Sequence, residues 1–473
     1  MTPSGTNSPA WELLLPLGAA PSRKRGRHLQ EALRDAVRTG RLATGTRMPS
    51  SRALAADLGV SRGLVTEAYE QLTAEGYLRS GRGAGTWVGG AARAAADAAR
   101  DLTARDLAPG SPDVRVDFRA GTPDLSLFPR AAWAAVHRSV LSRLPHHALG
   151  YPDARGLPEL RRALAELLTR RRGAVADPGR IVVCSGVAQA TTLLGLVLRA
   201  RGLRTVGVED PGSPEHGTLF AAAGLRTVRL PLDSEGPAIA PIVDSGVRMV
   251  VTTPAHQFPS GIACSASRRS ELLDWARSAD GLIVEDDYDG DFRYDRRPVG
   301  ALQGLDPDHV AYTGSVSKSL APGLRLGWLL APERLTDEII ARKRTMDLGH
   351  PVLDQALLAE FITGGGYDRQ LRRCQRAYRD RRDVLVSALA ERFPGSQVSG
   401  IAAGLHVIVR LPGRYGPEHR FLERAAARGV ALRPLSDYGT ERPEEGVIRL
   451  VLGYAHLSPA EIVLGVGLLA GTN

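Results

Sequence analysis

Apolar residues recur every four positions near the start of the chain. Leu29, Leu33 and Val37, with Ala32 and Ala36 beside them, form one stripe and predict a helix within 21–39 that begins near Gly26. Gly40 closes it, and the turn-rich GRLATGTRMPS comes next. Ser50 or Ser51 is placed to cap the short helix SSRALAADLG. Ser61 is placed to cap SRGLVTEAYEQLTAEG, which stops at Gly76. Leu64, Ala68, Leu72 and the Ala74-Glu75 end give that last helix one buried face. Two helices joined through Leu58-Gly59-Val60 describe a helix-turn-helix. Tyr77–Arg79 and Thr86–Val88 read as strands on either side of a Gly/Arg-rich tip, Ser80–Gly85, which makes a wing.

The pattern then changes. Residues 89–115 are alanine-rich, polar and end in Pro and Gly, and read as a linker with a helical middle or as a helix packed on the large domain. From 116 onward short apolar runs (181–185, 205–209, 249–253, 282–286, 309–314) alternate with amphipathic stretches (157–173, 189–202, 268–279). Such alternation predicts an α/β domain with a largely parallel sheet. The last hundred residues read as a smaller α+β part. The expected organisation is a winged helix-turn-helix over 18–88, a linker over 89–115 and a large domain over 116–473.

Length agrees, since 473 residues exceed the roughly 50–250 of one domain. Charge adds a direction. Residues 1–90 hold 12 Lys and Arg against 7 Asp and Glu, and so carry half of the formal +10. A basic helix-turn-helix fits double-stranded DNA. Arg52 and Arg62, each at the start of a helix, are placed near phosphates. Ser61 lies beside Arg62, Thr66 and Tyr69 read as outward-facing, and Arg79, Arg82 and Gly83 belong to the wing, where an arginine can reach a minor groove or phosphates. Cys184, Cys264 and Cys374 are far apart and outside any Cys/His cluster, which argues against a disulfide scaffold and a metal site. Neither a signal-peptide pattern nor a membrane-length apolar run is found, so a cytoplasmic location is expected.

Three polar stretches sit at strand ends, where ligands collect in open α/β sheets. In the first, a strand runs through Ser185-Gly186 into a helix. The Ser185 hydroxyl and the freed N–H groups of Val187 and Ala188 can form a phosphate nest. The second is the acidic run Glu285–Asp289 behind an apolar strand, which demands positive partners. Asp286 and Tyr288 share one face of it. The third is TGSVSKSLAPGLRLGW (313–328), which sets Lys318, one of only three lysines in the chain, among Ser315, Ser317 and Arg325. One ligand answers all three: an aldehyde for the lysine, a phosphate for the hydroxyls, arginine and backbone N–H groups, and a basic ring nitrogen for Asp286. Pyridoxal 5'-phosphate has each of these groups.

Residues 25–88 resemble the winged helix of GntR-type bacterial transcription regulators, through Pro49-Ser50-Ser51-Arg52, Gly59-Val60-Ser61-Arg62, Ala68-Tyr69, Glu75-Gly76 and Gly83…Gly85-Thr86. From about 118 the chain resembles a fold-type I aminotransferase, specifically the domain fused behind that winged helix in MocR/GabR-type regulators. FRAGTPDLSLFP, LGYPDARGLPELRRALAELL, TPAHQFPSG, IVEDDYDGDF and TGSVSKSLAPGLRLGW carry this likeness. The resemblance implies that Lys318 is the Schiff-base lysine, Asp286 the partner of the pyridine nitrogen and Tyr288 that of the ring hydroxyl. It also implies that Ser315, Ser317 and Arg325 hold the phosphate, that Arg449 binds an effector carboxylate, and that the protein forms a head-to-tail homodimer. Two departures stand out. Ser213 replaces the usual aromatic, with Glu215 just beyond it, and Phe258 precedes Pro259 with His256 and Gln257 adjacent.

The expected function is therefore a pyridoxal-phosphate-dependent transcription regulator. In it an amine or amino acid forming an external aldimine, or the cofactor itself, changes promoter binding. An active aminotransferase and a DNA-binding protein that keeps the fold only for dimerisation are the alternatives.

Overall fold

The computed structural model describes residues 25–39, 41–81, 85–89, 114–294, 299–440 and 446–471. It divides the chain into two compact units, residues 1–112 and 113–473.

In the first unit the apolar stripe forms the helix Arg25–Arg38, with Leu29, Leu33, Ala36 and Val37 buried. Ser50 Oγ accepts from the N–H of Ala53 at the start of Ser51–Asp57. Ser61 Oγ does the same for Leu64 at the start of Arg62–Ala74. The wing strands Leu78–Gly81 and Gly85–Val88 pair antiparallel, Leu78 opposite Val88. The buried face of Arg62–Ala74 differs from the expected one, since it consists of Val65, Ala68, Tyr69 and Leu72. Tyr69 is therefore a core residue and not outward-facing. Its hydroxyl donates to the Pro49 carbonyl at 3.1 Å, which satisfies the one polar atom of a buried ring. Arg82, Gly83, the helix-ending Gly40 and linker residues 90–113 lie outside the described residues.

The second unit is built on an eight-stranded sheet. Its order is Ile181–Cys184, Gly327–Leu330, Val310–Ser315, Leu282–Asp286, Met249–Thr252, Thr205–Asp210, Arg226–Asp233, Gly236–Pro237. The central strands pair in parallel. Gly327–Leu330 runs antiparallel to both of its neighbours. Neither that strand nor the exposed Arg226–Asp233 is evident in the apolar pattern. The helices Pro158–Arg172, Gly186–Ala200 and Ala266–Ser278 match the amphipathic stretches. A helix of 27 residues, Gly366–Arg392, is followed by a smaller antiparallel sheet in the order Gln397–Ser399, His406–Pro412, Val447–Gly453, Arg433–Pro434.

One close approach sets the position of the site. A Cβ on Gly327 would lie 2.7 Å from Gly186 Cα. Gly186 itself adopts φ +78, and a Cβ there would meet Arg325 at 2.8 Å. Two glycines thus let the start of Gly186–Ala200 lie against the neighbouring strand, with Arg325 held over it. Among the described residues no helix is long and apolar enough to cross a membrane.

Candidate functional site

The strand Leu282–Asp286 delivers the acidic run to the edge of a cavity of about 240 Å³. Each carboxylate meets a different partner. Glu285, wholly buried, accepts the N–H groups of Leu302 and Gln303 at 2.9 and 3.0 Å. Burial, with Asp287 nearby, still pushes it up to about 7. Asp286 Oδ2 lies 3.0 Å from His216 Nε2. Asp287 forms a buried bidentate ion pair with Arg172, at 2.6 and 3.0 Å, and accepts from the Tyr312 hydroxyl. Asp289 Oδ2 lies 2.8 Å from His256 Nδ1.

Asp286 and Tyr288 both line the cavity, together with Lys318. Lys318 Nζ donates to the Gly121 carbonyl at 2.5 Å. Burial lowers its pKa, against the opposing pull of Glu215, Asp289 and Asp286. The result is a larger neutral, nucleophilic fraction. Burial also holds the Tyr288 phenol protonated, and its oxygen lies 3.0 Å from His256 Nδ1. His216 is raised: burial opposes its charged form, but the hydrogen bond and charge of Asp286 prevail. Asp286 therefore favours the charged form of the imidazole it meets with one oxygen, while its other oxygen, Oδ1, is buried and has no hydrogen-bond partner.

Ser185 and Gly186, expected at a phosphate, are not among the residues that line this cavity. Arg325, in the left-handed region at φ +50, donates from Nη2 to the Ser185 carbonyl at 2.5 Å. The Ser185 N–H donates to Gln189 Oε1, and Gln189 Nε2 donates to Asp347, which pairs with the fully buried Lys343 at 2.6 Å. Val187 and Ala188 occupy the first turn of Gly186–Ala200. Ser315 ends its strand, and its Oγ accepts the Ser317 N–H at 3.3 Å.

The residues present fit pyridoxal 5'-phosphate. A partnerless buried carboxylate oxygen, a depressed amine and a glycine cradle under an arginine supply one complementary group for each end of the molecule.

Arg449 is less central. It lies in Val447–Gly453 opposite Arg410 and does not line the cavity. It is two residues from Val451, which packs with Ile408 and Tyr438. The cavity instead takes in Arg433, together with Glu215, Ser213, Phe258 and Tyr438. Where the aromatic is missing at Ser213, the aromatic wall comes from Phe258 and Tyr438, edge to face at 5.3 Å. The sequence does not single out His216, His256 or Arg433 as partners. The contacts of His216 and His256 with the acidic run span 70 and 33 residues of chain, and the run's own unbalanced charge is the only signal of them.

In the first unit, Arg52, Ser61, Arg62 and Arg79 are exposed, and Thr66 is half-buried with its hydroxyl on the Arg62 carbonyl. Thr66, Ser51, Ser80, Thr86 and Arg47 line a groove of about 850 Å³ between helix and wing, and the edge of Tyr69 reaches it.

The larger unit has the aminotransferase fold, and the smaller is a winged helix. Residues 115–465 match the family described as aminotransferase class I and II, and residues 25–88 match bacterial regulatory proteins, gntR family. The chain is 34% identical to the probable rhizopine catabolism regulatory protein MocR of Rhizobium meliloti, over 94% of this chain and 92% of that protein. It is 31% identical to the pyridoxine biosynthesis transcriptional regulator PdxR of Corynebacterium glutamicum, over 89% and 90%. A Pyrococcus horikoshii kynurenine aminotransferase, solved in complex with PMP, superposes with a TM-score of 0.67 at 27% identity, covering 79% of this chain and 93% of that one. The chain belongs to the MocR/GabR-type regulators of the GntR family, a winged helix fused to an aminotransferase-like domain.

Replacing Arg172 with Met leaves Asp287 buried and unpaired, and should destabilise the large unit by about 3–5 kcal/mol in urea unfolding. A loss below about 1 kcal/mol would mean the pair is dispensable.

Burial, with the His256 charge next in effect, lowers His406 to about 4. The unfolded chain, near the ordinary 6.5, therefore takes up the proton first. The stability this residue contributes is complete above about 6.5 and is lost as pH falls toward 4. Between pH 7 and 5 the urea midpoint of His406→Gln should fall less steeply than that of the wild type. Parallel slopes would refute the assignment.

Proposed function

We propose that the protein is a pyridoxal-5'-phosphate-dependent regulator whose DNA affinity is set by an amine or amino-acid effector. The single observation that carries this reading is that Lys318, the half-satisfied Asp286 and Tyr288 line one cavity. The bound cofactor would supply an aldehyde that condenses with primary amines and a pyridine ring that withdraws electrons.

The roles of the chain's own residues follow from their surroundings. Lys318 is the resident amine, kept nucleophilic by burial. Asp286, steadied by His216, would keep a proton on the cofactor's ring nitrogen. Tyr288, held as a phenol, donates toward the ring oxygen. Ser185, the Val187 and Ala188 N–H groups, Ser315, Ser317 and Arg325 hold the phosphate dianion. An effector amine held by the cofactor would leave Lys318 as a free amine inside the cavity. Its charge and contacts would then differ between two states, which is the requirement for coupling two sites. We assign DNA contacts to Arg52, Ser61, Arg62, Thr66, Arg79, Arg82 and Gly83, with Tyr69 shaping the floor of the groove and not reading bases. A head-to-tail homodimer would present two such modules to two half-sites.

A transaminase reading keeps one specific support, because Lys318 and Asp286 line the same cavity. Repeated turnover of an amino acid and a keto acid would favour it. A stoichiometric response without turnover favours regulation.

Two measurements test the proposal. Footprints on the DNA upstream of the gene should change when amines are added to cofactor-loaded protein, and Lys318→Ala should abolish that change. An amine response surviving in K318A would overturn the reading. Arg62→Ala should weaken operator binding and lower its salt slope by about one. An unchanged slope would remove Arg62 from the phosphate contacts.

A further inference from the structure

Two charged side chains on the cavity wall have no part in holding the cofactor. Glu215 lies in the first turn of Pro214–Ala222, exposed, and its carboxylate forms no hydrogen bond or ion pair among the described residues. It lines the same cavity as Lys318, and of the charges acting on that amine its effect is the largest, ahead of Asp289 and Asp286. Arg433 enters from the small sheet and lines the cavity together with Tyr438. The space beside Lys318 is therefore bounded by an anion from the large sheet's side and a cation from the small sheet. Ser213, two residues before Glu215, leaves that wall free of a large side chain.

An unpaired carboxylate on the wall of the cavity repels a ligand that places its own carboxylate there and attracts one that places an ammonium. Arg433 offers the complementary fork for a carboxylate. We infer that the effector is a dibasic amino acid of the ornithine or lysine class, its second ammonium on Glu215 and its carboxylate on Arg433. This rests on the cofactor reading above. Glu215 is then a specificity-determining residue, and its neighbour Ser213 provides the room for a charged chain.

The test titrates the full-length, pyridoxal-phosphate-loaded protein with L-lysine, L-ornithine, cadaverine and L-norleucine, following the cofactor's absorbance and, in parallel, operator affinity. Norleucine matches the carbon chain of lysine but lacks the second ammonium. L-lysine or L-ornithine should half-saturate at a concentration on the order of tenfold below norleucine. Glu215→Gln should bring lysine and norleucine to within about twofold of each other, because only the ion pair is removed. Arg433→Gln should weaken lysine more than cadaverine, which has no carboxylate. Equal half-saturation by lysine and norleucine in the wild type, or a lysine preference unchanged in E215Q, would overturn the inference while leaving the cofactor reading intact. An absorbance indifferent to every amine would overturn both.

Discussion

The site depends on how a strand end can carry four carboxylates in five residues. Glu285, Asp286, Asp287 and Asp289 would repel one another and lose hydration if left alone. Arg172 offsets part of that cost. Its guanidinium pairs with both oxygens of Asp287 and also donates to the carbonyls of Gly290 and Val299, so the loop after the strand is tied to the helix Pro158–Arg172. With Asp287 fixed, the chain alternates faces. Asp286 and Tyr288 turn to the cavity, while Glu285 and Asp287 turn to backbone and arginine. The cavity's chemistry follows from which carboxylate is neutralised by whom.

That division of labour also separates structure from function among like residues. Asp287 is saturated by Arg172 and Tyr312 and has nothing left for a ligand. Asp286 meets a single imidazole and keeps one oxygen in reserve. Lys343 and Lys318 contrast in the same way. The first is paired with Asp347 and fully buried, bracing the cradle through Gln189 and Ser185. Among the described residues the second donates to a backbone carbonyl alone and forms no ion pair.

Much of this is readable in the residues alone, because its signals are local. Ser50 and Ser61 cap where small hydroxyls precede apolar periodicity, and the strand at 282–286 occupies its apolar run. The strand-to-helix turn proposed to hold the phosphate is marked by its Ser-Gly pair. The features that escape such reading are long-range or masked by composition. The buried face of Arg62–Ala74 passes through Val65 and Tyr69, and a tyrosine reads as polar until its hydroxyl is seen to reach the Pro49 carbonyl. Arg226–Asp233 escapes because most of its residues are exposed and charged or polar ones interrupt it. His216, His256 and Arg433 carry no pattern of their own, since each acquires meaning only from a partner that the fold brings from elsewhere. The acidic run shows that partners have to exist, without saying which.

The scarcity of lysine has a practical consequence. Residues 115–473 contain only Lys318 and Lys343, and Lys343 is fully inaccessible to solvent. Every other basic residue there is an arginine or histidine. For an amine-selective reagent, the large unit is thus an almost silent surface with a single responsive nitrogen. Chemical labelling of that unit would report the occupancy of one cavity directly, in a mixture and without a spectroscopic signal from the cofactor.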